Sequence, residues 1–205
     1  MTELDQALAN ITAIRQQMAR GTLFRGYGPA ALATSGLLAM GAALAQHAWL
    51  PAPLQDIGAY LSLWVAVALA STVLIASEAV RRSQQAHGGL ADDMLKASAE
   101  QFLPAALVGV LLTAVITQKV PQIMWTLPGL WQIVLSLGIA AACTSLPRPM
   151  MAISLWYLGC GLACLVYAND GHALSPWAMG VPFGVGQLLA AGLLKHCFGG
   201  DDEHA

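Results

Sequence analysis

The sequence predicts an all-α, polytopic membrane protein with six transmembrane helices and with both termini in the cytoplasm. Of the 205 residues, 57% are hydrophobic and only 10% are charged, whereas a soluble domain carries roughly 25% charged residues. So few charges cannot cover the surface of a water-soluble body of this size. The second observation is that apolar runs recur along the chain, most of them close to the roughly 20 residues that cross a bilayer as a helix.

Six apolar runs define the predicted spans, and prolines mark several of their boundaries. Pro29 and Pro104 fall in the first turns predicted for the first and third spans, where a missing N–H costs nothing. Pro51 and Pro53 break the chain after the first span. The predicted spans cover residues 28–50, 57–80, 102–116, 127–146, 150–167 and 174–194, and the third can extend to residue 120.

The basic residues predict the orientation of the spans. Cytoplasmic segments of membrane proteins carry an excess of lysine and arginine. With the N-terminus inside, Lys119 faces outward and the other eight basic residues face the cytoplasm, whereas the inverse orientation reverses this distribution. The cytoplasmic set is Arg15, Arg20, Arg25, Arg81, Arg82, Lys96, Arg148 and Lys195.

Apolar residues spaced three and four apart from Leu4 to Met18 predict an amphipathic helix over residues 3–19. This helix either lies on the membrane or bundle surface or docks a partner. The predicted organisation is a cytoplasmic helix and entry segment at 1–27, a six-helix bundle at 28–196 with a cytoplasmic loop at 81–101, and a short cytoplasmic tail at 197–205.

Several function classes are disfavoured by composition and residue placement. The net charge of −2 argues against a nucleic-acid partner, which requires a basic patch. No acidic residue lies at the middle of a predicted span, which argues against a carrier that uses an acidic proton or sodium relay. The sequence shows no arrangement of a nucleophile with a base. We therefore predict a protein without enzymatic activity and without a cofactor.

A few charged and polar residues within or beside the spans are candidates for a functional site. Glu78 lies three and four residues before Arg81 and Arg82, the spacing at which helix side chains meet. This group is either an interfacial ion pair that reaches toward water or a cytoplasmic gate or partner contact. Gln132 and Gln187 lie within spans, where each is expected to make an interhelical hydrogen bond.

The sixth predicted span contains a glycine pair with a proline between its members. Gly180 and Gly184 form a GxxxG motif, which lets helices approach closely within one chain or between chains. Pro182 should kink the helix and free the carbonyl group of Ala178, since it has no N–H to donate. The helix either lines a cavity or forms a packing seam, and the sequence favours the seam.

Two pairs of residues could in principle bind a metal or haem. His47 lies at the outer end of the first span and His172 in the outer loop before the sixth, although a bis-histidine haem needs two imidazoles that face each other in a bundle core. Cys160 and Cys164 are four residues apart and therefore share a helix face. Two thiolates alone rarely hold a metal, so helix packing is the favoured interpretation.

Three short stretches carry a resemblance to a family. They are IRQQM at residues 14–18 followed by Phe24, AVRRS at residues 79–83, and the run at residues 177–192. In this layout the chain resembles small six-helix bacterial inner-membrane proteins of unknown function. The resemblance implies a bacterial cytoplasmic membrane but no activity. It departs at Gln187, where such proteins often carry histidine, so no metal role is carried over to this position.

We expect a multi-pass protein of the bacterial inner membrane that acts as a non-enzymatic accessory or sensory component. Besides the lipid bilayer, its partners would be a second copy or another membrane protein, contacted through helix packing and through the cytoplasmic segments. The alternative is a small transporter or channel for an uncharged or hydrophobic solute, with the kinked sixth helix along the path. A third interpretation is a membrane protein that binds haem or a metal.

Overall fold

The computed structural model describes residues 28–85, 90–143, 149–168 and 172–198, without the side chains of 82–99, 101 and 197–198. The predicted helix over 3–19 and the tail beyond residue 198 lie outside the described residues. Every regular element within them is a helix. In chain order these are α1 (Pro29–Trp49), α2 (Ile57–Gln85), α3 (Leu90–Lys119), a 3-10 helix (Pro121–Thr126), α4 (Leu127–Ala142), α5 (Met150–Tyr167) and α6 (Pro176–Phe198).

Six helices are long and apolar enough to cross a membrane, the fourth when α4 is taken together with the 3-10 helix before it, over Pro121–Ala142. This confirms the predicted all-α fold with six candidate spans and indicates a multi-pass membrane protein. The predicted place of Pro104 in the first turn of a helix is wrong, because α3 begins at Leu90 and Pro104 therefore lies inside the helix. The polar stretch before the third span continues the same helix. At Pro104 the helix lacks one N–H donor, which leaves the carbonyl of Glu100 without its usual helical partner.

Local sequence explains how α1 begins and ends. Gly28 has an extended conformation and is followed by Pro29, whose fixed φ angle suits the first helical position. At the other end, Leu50 leaves the helical region because Pro51 disfavours a helical conformation in the residue before it.

The six spans differ strongly in how much of their surface the bundle buries. α1 packs most extensively against α6, and α4 against α5, whereas α2 and α3 touch each other only slightly. The buried share of the spanning window is 39% in α1 and 44% in α6, but 11% in α2 and 6% in α3. The first and last spans therefore form the best-packed part of the protein, and α2 and α3 are attached at its side.

Glycines also allow α4 and α5 to pack closely. A Cβ atom placed on Gly129 would lie 2.8 Å from the carbonyl oxygen of Gly161, and a Cβ atom on Gly161 would lie 2.8 Å from that of Gly129. The two backbones therefore approach each other at these positions, as small residues permit between membrane helices.

Candidate functional site: a buried polar cluster at the end of the bundle where α1 meets α2

Five helices bring polar groups together at one end of the bundle. α1 ends and α2 begins there, so we call it the α1–α2 end. α4 and α6 also begin near this end and α5 ends there. The cluster consists of two linked parts, one built around Gln46 and one around Gln132.

Gln46 connects α1 to α2 and to the turn before α6. Its Nε2 donates a hydrogen bond of 2.8 Å to the carbonyl oxygen of Leu174, and its Oε1 accepts one of 2.8 Å from Nε1 of Trp64. Both side chains are buried. Both ends of the amide are therefore satisfied inside the bundle, where an unpaired polar group would be costly. Gln46 was not among the predicted candidates, although it lies inside an apolar span as Gln132 does.

Leu174 has an unusual backbone conformation for its type. Its φ angle is +57°, in the left-handed region that costs a residue with a Cβ about 1–2 kcal/mol. Its side chain is buried against Tyr60 and Trp64, with Trp131 at the edge of the same cluster. The hydrogen bond from Gln46 and this packing hold Leu174 over the α1–α2 end.

Gln132 binds the carbonyl group that Pro182 leaves free. Its Nε2 donates a hydrogen bond of 2.7 Å to the carbonyl oxygen of Ala178, the helical acceptor that residue 182 would use if it had an N–H. The Sγ atom of Cys164 lies 3.6 Å from the same oxygen and 3.8 Å from Nε2 of Gln132. The two sequence predictions, a freed carbonyl and an interhelical bond from Gln132, thus concern one and the same contact.

Two buried polar atoms of the residues at this end have no hydrogen-bond partner among the described residues. They are the Tyr60 hydroxyl and Oε1 of Gln132. Each such atom costs about 1–3 kcal/mol in a protein interior. The Tyr60 ring stacks on Trp131 with a centroid distance of 6.4 Å and an interplanar angle of 9°, and Nε1 of Trp131 donates to Oγ1 of Thr113 at 2.8 Å. Tyr60 was not among the predicted candidates, because tyrosines near span ends are usually interface anchors.

The GxxxG pair of α6 packs against α1 of the same chain. A Cβ atom on Gly180 would overlap the Cβ atom of Ala43, and one on Gly184 would lie 2.6 Å from Cγ of Met40. On the opposite side, a Cβ atom on Gly36 would lie 3.0 Å from the carbonyl oxygen of Gly184. The α1–α6 seam is therefore an intrachain contact between small residues.

Gln187 and Gln132 occupy different levels of the bundle. Gln187 is half-buried, and a Cβ atom on Gly36 would lie 3.1 Å from its Cβ atom. It lies nine residues beyond Ala178, which corresponds to about 13 Å along a helix. The structure therefore does not bring the two glutamines to a common site.

Glu78 lies beside the start of α1 at the opposite end of the bundle. Its Oε2 is 3.3 Å from an Nη atom of Arg81, which is largely exposed. A Cβ atom on Gly28 would lie 2.6 Å from Cγ of Glu78, so glycine makes room for the carboxylate there. Exposed ion pairs of this kind contribute at most about 1 kcal/mol. The side chain of Arg82 lies outside the described residues.

The candidate histidines lie at exposed positions, whereas the candidate cysteines are half-buried on α5. His47 and His172 are exposed, and the His47 ring lies 6.1 Å from that of Trp177. Cys160 and Cys164 are half-buried free thiols on α5. Within the described ranges, His, Cys, Asp and Glu side chains do not gather in a group of three that could hold a metal.

Comparison with protein-family models, with curated proteins and with solved structures found no match for this chain. The resemblance to small bacterial inner-membrane proteins therefore stays a prediction from the sequence.

Replacing Gln46 with leucine is expected to lower the free energy of unfolding by about 2 kcal/mol, because the Trp64 indole N–H and the Leu174 carbonyl each lose a buried partner. Thermal unfolding of the purified protein in detergent, followed by circular dichroism, measures this effect. The matched control is Gln118→Leu at an exposed position of α3, which should leave the unfolding midpoint almost unchanged. Equal midpoints for the two variants would contradict the structural role of Gln46.

Proposed function

We propose that this protein is a non-enzymatic accessory component of a membrane, which acts through helix–helix contacts. The observation that carries the proposal is the uneven packing of the bundle. The interior between α1 and α6 is closed by small residues, whereas the spanning windows of α2 and α3 are 11% and 6% buried. Two of the six helices thus bury only a small share of their surface in the bundle, and their exposed faces are available for contact with another membrane protein.

α2 carries a stripe of small residues on its exposed face. Gly58, Ser62, Ala66 and Ala70 follow one another at intervals of four residues, and all four are exposed. Residues four apart share a helix face, and small residues on such a face allow the close approach on which membrane helices depend. We call these four residues the α2 stripe. Its position on a sparsely buried helix supports a role as the contact surface.

The occupant that fits this stripe best is a second copy of the chain. The stripe consists of small uncharged residues, so two copies of it can face each other across the two-fold axis of a homodimer without a steric or electrostatic conflict. The GxxxG seam of α6 is already occupied by α1. Gly159 and Ala163 on α5 are also small, exposed and four residues apart, but the α2 stripe is the longer of the two surfaces.

The proposal includes a location in a bacterial cytoplasmic membrane, with both termini and the 81–101 loop in the cytoplasm. The eight-to-one distribution of basic residues supports this orientation. In a sensory or accessory role, the cytoplasmic segments would transmit a change in helix packing to a partner.

The test of the α2 stripe is the oligomeric state of the purified protein, measured by native mass spectrometry in detergent. We expect a dimer for the natural sequence and a monomer for the double variant Ala66→Leu/Ala70→Leu, since the larger side chains keep the backbones apart. Ala163→Leu, an exposed position of α5, is the matched control and should remain dimeric.

A monomeric natural protein, or a dimer that survives the double variant, would overturn the self-association through α2. If a different chain co-purifies with the natural protein but not with the double variant, the stripe instead binds another membrane protein. An absorption spectrum of the same sample tests the interpretation as a haem protein, which requires an absorption band in the visible range.

Transport of a small uncharged solute is the second proposal, and one observation favours it. The Tyr60 hydroxyl and Oε1 of Gln132 are polar, sealed from solvent and without partners among the described residues. In this conformation, however, the hydrogen bond from Gln132 to Ala178 joins α4 to α6. A transport path along these helices would therefore require that contact to open.

A further inference from the structure

The bundle contains two pairs of closely packed helices. In one pair, α1 lies against α6, where a Cβ atom on Gly36 would lie 3.0 Å from the carbonyl oxygen of Gly184. In the other pair, α4 lies against α5, where Gly129 and Gly161 bring the two backbones together in the same way. Close-packed contacts of this kind are stiff, so each pair is expected to move as one rigid unit.

At the end opposite the α1–α2 end, the two pairs share a buried apolar cluster. Its buried members are Leu32 of α1, Ile153 and Tyr157 of α5, and Ala190, Ala191 and Leu194 of α6. Separation of the pairs at this end would open a gap between apolar side chains and forfeit their van der Waals contacts. Water does not compensate for that loss, because an apolar cavity offers it no hydrogen-bond partner.

At the α1–α2 end, the two pairs meet through hydrogen bonds instead. The buried members of the apolar cluster there come from α1, α2, α6 and the turn before α6, and among the described residues the α4–α5 pair adds only the partly buried Trp131. Gln132 of α4 donates to the carbonyl oxygen of Ala178 at 2.7 Å. Nε1 of Trp156 of α5 donates to the carbonyl oxygen of Pro182 at 3.0 Å.

The two acceptors are backbone carbonyl groups of α6 that lie one helical turn apart. Water is nearly as good a hydrogen-bond partner as a side chain, so water that enters from the α1–α2 end can replace both donors. The two ends of the interface between the pairs therefore differ in kind. One end is apolar and resists separation, whereas the other is held by hydrogen bonds that water can replace.

We propose that the α4–α5 pair swings away from the α1–α6 pair at the α1–α2 end, with the apolar cluster at the opposite end as the pivot. Gln132 and Trp156 hold the closed state, and their release admits water between the pairs. Rotation of rigid helical units against each other is an established form of conformational change. The inference goes beyond the proposed role in assembly, because each contact that carries it lies within one chain.

The first test measures one distance at each end of the interface by double electron–electron resonance in lipid vesicles. In a cysteine-free background, one pair of spin labels replaces Ala48 and Gln122 near the α1–α2 end. The other pair replaces Ala30 and Ala152 near the opposite end, and all four positions are exposed. We expect two distances for the first pair of labels and a single narrow distance for the second. A single narrow distance for both pairs, or two distances for both, overturns the proposal.

The second test measures how fast a positively charged methanethiosulfonate reagent modifies Cys164, whose Sγ lies 3.6 Å from the Ala178 carbonyl oxygen. In a variant that retains only this cysteine, Trp156→Phe should raise the rate roughly fivefold, the change in open population when one ordinary hydrogen bond is lost. Trp156 lies eight residues from Cys164, about 12 Å along the helix, so a direct effect on the thiol is excluded. Trp49→Phe, at an exposed position, is the matched control and should leave the rate unchanged.

A second reporter separates opening at one end from loosening of the whole bundle. Ala190→Cys, in a background without the natural cysteines, places a thiol in the apolar cluster that forms the pivot. Trp156→Phe should leave its slow modification unchanged. An unchanged rate at Cys164, or equal increases at Cys164 and at residue 190, overturns the proposal. The first test retains both Gln132 and Trp156, so it decides the proposal even where Trp156→Phe does not fold. Neither test depends on the oligomeric state, so failure here is distinct from failure of the contact through α2.

Discussion

Replacing Gly180 with leucine is expected to lower the free energy of unfolding by about 3 kcal/mol, the upper range for overpacking a close contact. A Cβ atom at this position would overlap the Cβ atom of Ala43 on α1. Because the Cβ atom of alanine is fixed to the backbone, no rotation of a side chain can relieve the overlap, and α1 and α6 must separate. Denaturant titration of the detergent-solubilised protein, followed by circular dichroism, measures the loss.

Two further glycines of α6 serve as controls for this prediction. A Cβ atom on Gly192 meets no atom within 4 Å, so Gly192→Leu should have little effect or should stabilise the helix, since glycine disfavours a helix interior. Gly184→Leu should be intermediate, because the two nearest atoms that its Cβ atom meets belong to the flexible side chain of Met40. If Gly180→Leu were as stable as Gly192→Leu, the close approach of α1 and α6 at this level would be refuted.

Replacing Gln132 with leucine is expected to cost about 2 kcal/mol in the natural sequence, within the usual range for a buried carbonyl that loses its partner. The cost should depend on Pro182. In a Pro182→Ala background, the N–H of residue 182 can bind the Ala178 carbonyl within the helix. The carbonyl then no longer depends on Gln132, and the same substitution should cost about 1 kcal/mol less.

A double-mutant cycle with unfolding free energies measures this coupling. The four proteins are the natural sequence, Gln132→Leu, Pro182→Ala and the double variant. Additive effects would show that Gln132 stabilises the bundle in some way other than by binding the carbonyl that the proline frees. Gln187→Leu is the matched control on α6, because Gln187 packs at the level of Gly36, and its effect should not depend on Pro182.

The sequence predicts the number and type of elements because a membrane span needs a long apolar run. It also predicts that Pro182 frees the Ala178 carbonyl, since this follows from the backbone alone. The identity of the donor does not follow. Gln132 is 46 residues from Ala178 along the chain, and apolar periodicity does not say which helices are neighbours in a bundle whose spans all face lipid and protein. The start of α3 was misplaced because an apolar run marks the span, whereas the helix continues into polar sequence.

The small-residue motif illustrates the same limit. GxxxG in α6 predicts a close contact but leaves its partner open. In α1, Gly36, Ala39 and Ala43 fall on one face, and this signal would have indicated the matching helix. Gln46 and Tyr60 were missed for a different reason, because polar residues near the ends of spans are usually explained by contact with water.

The pairing of the first span with the last has a consequence for the biogenesis of the protein. Ala43 and Gly180 are separated by roughly 140 residues, so at about 5–20 residues per second the ribosome needs on the order of 10 s to supply the partner of α1. During that time the glycine and alanine face of α1 lies open in the bilayer. A chain interrupted before α6 lacks the most extensive interface of the bundle, so we expect such a fragment to be less stable than the whole protein.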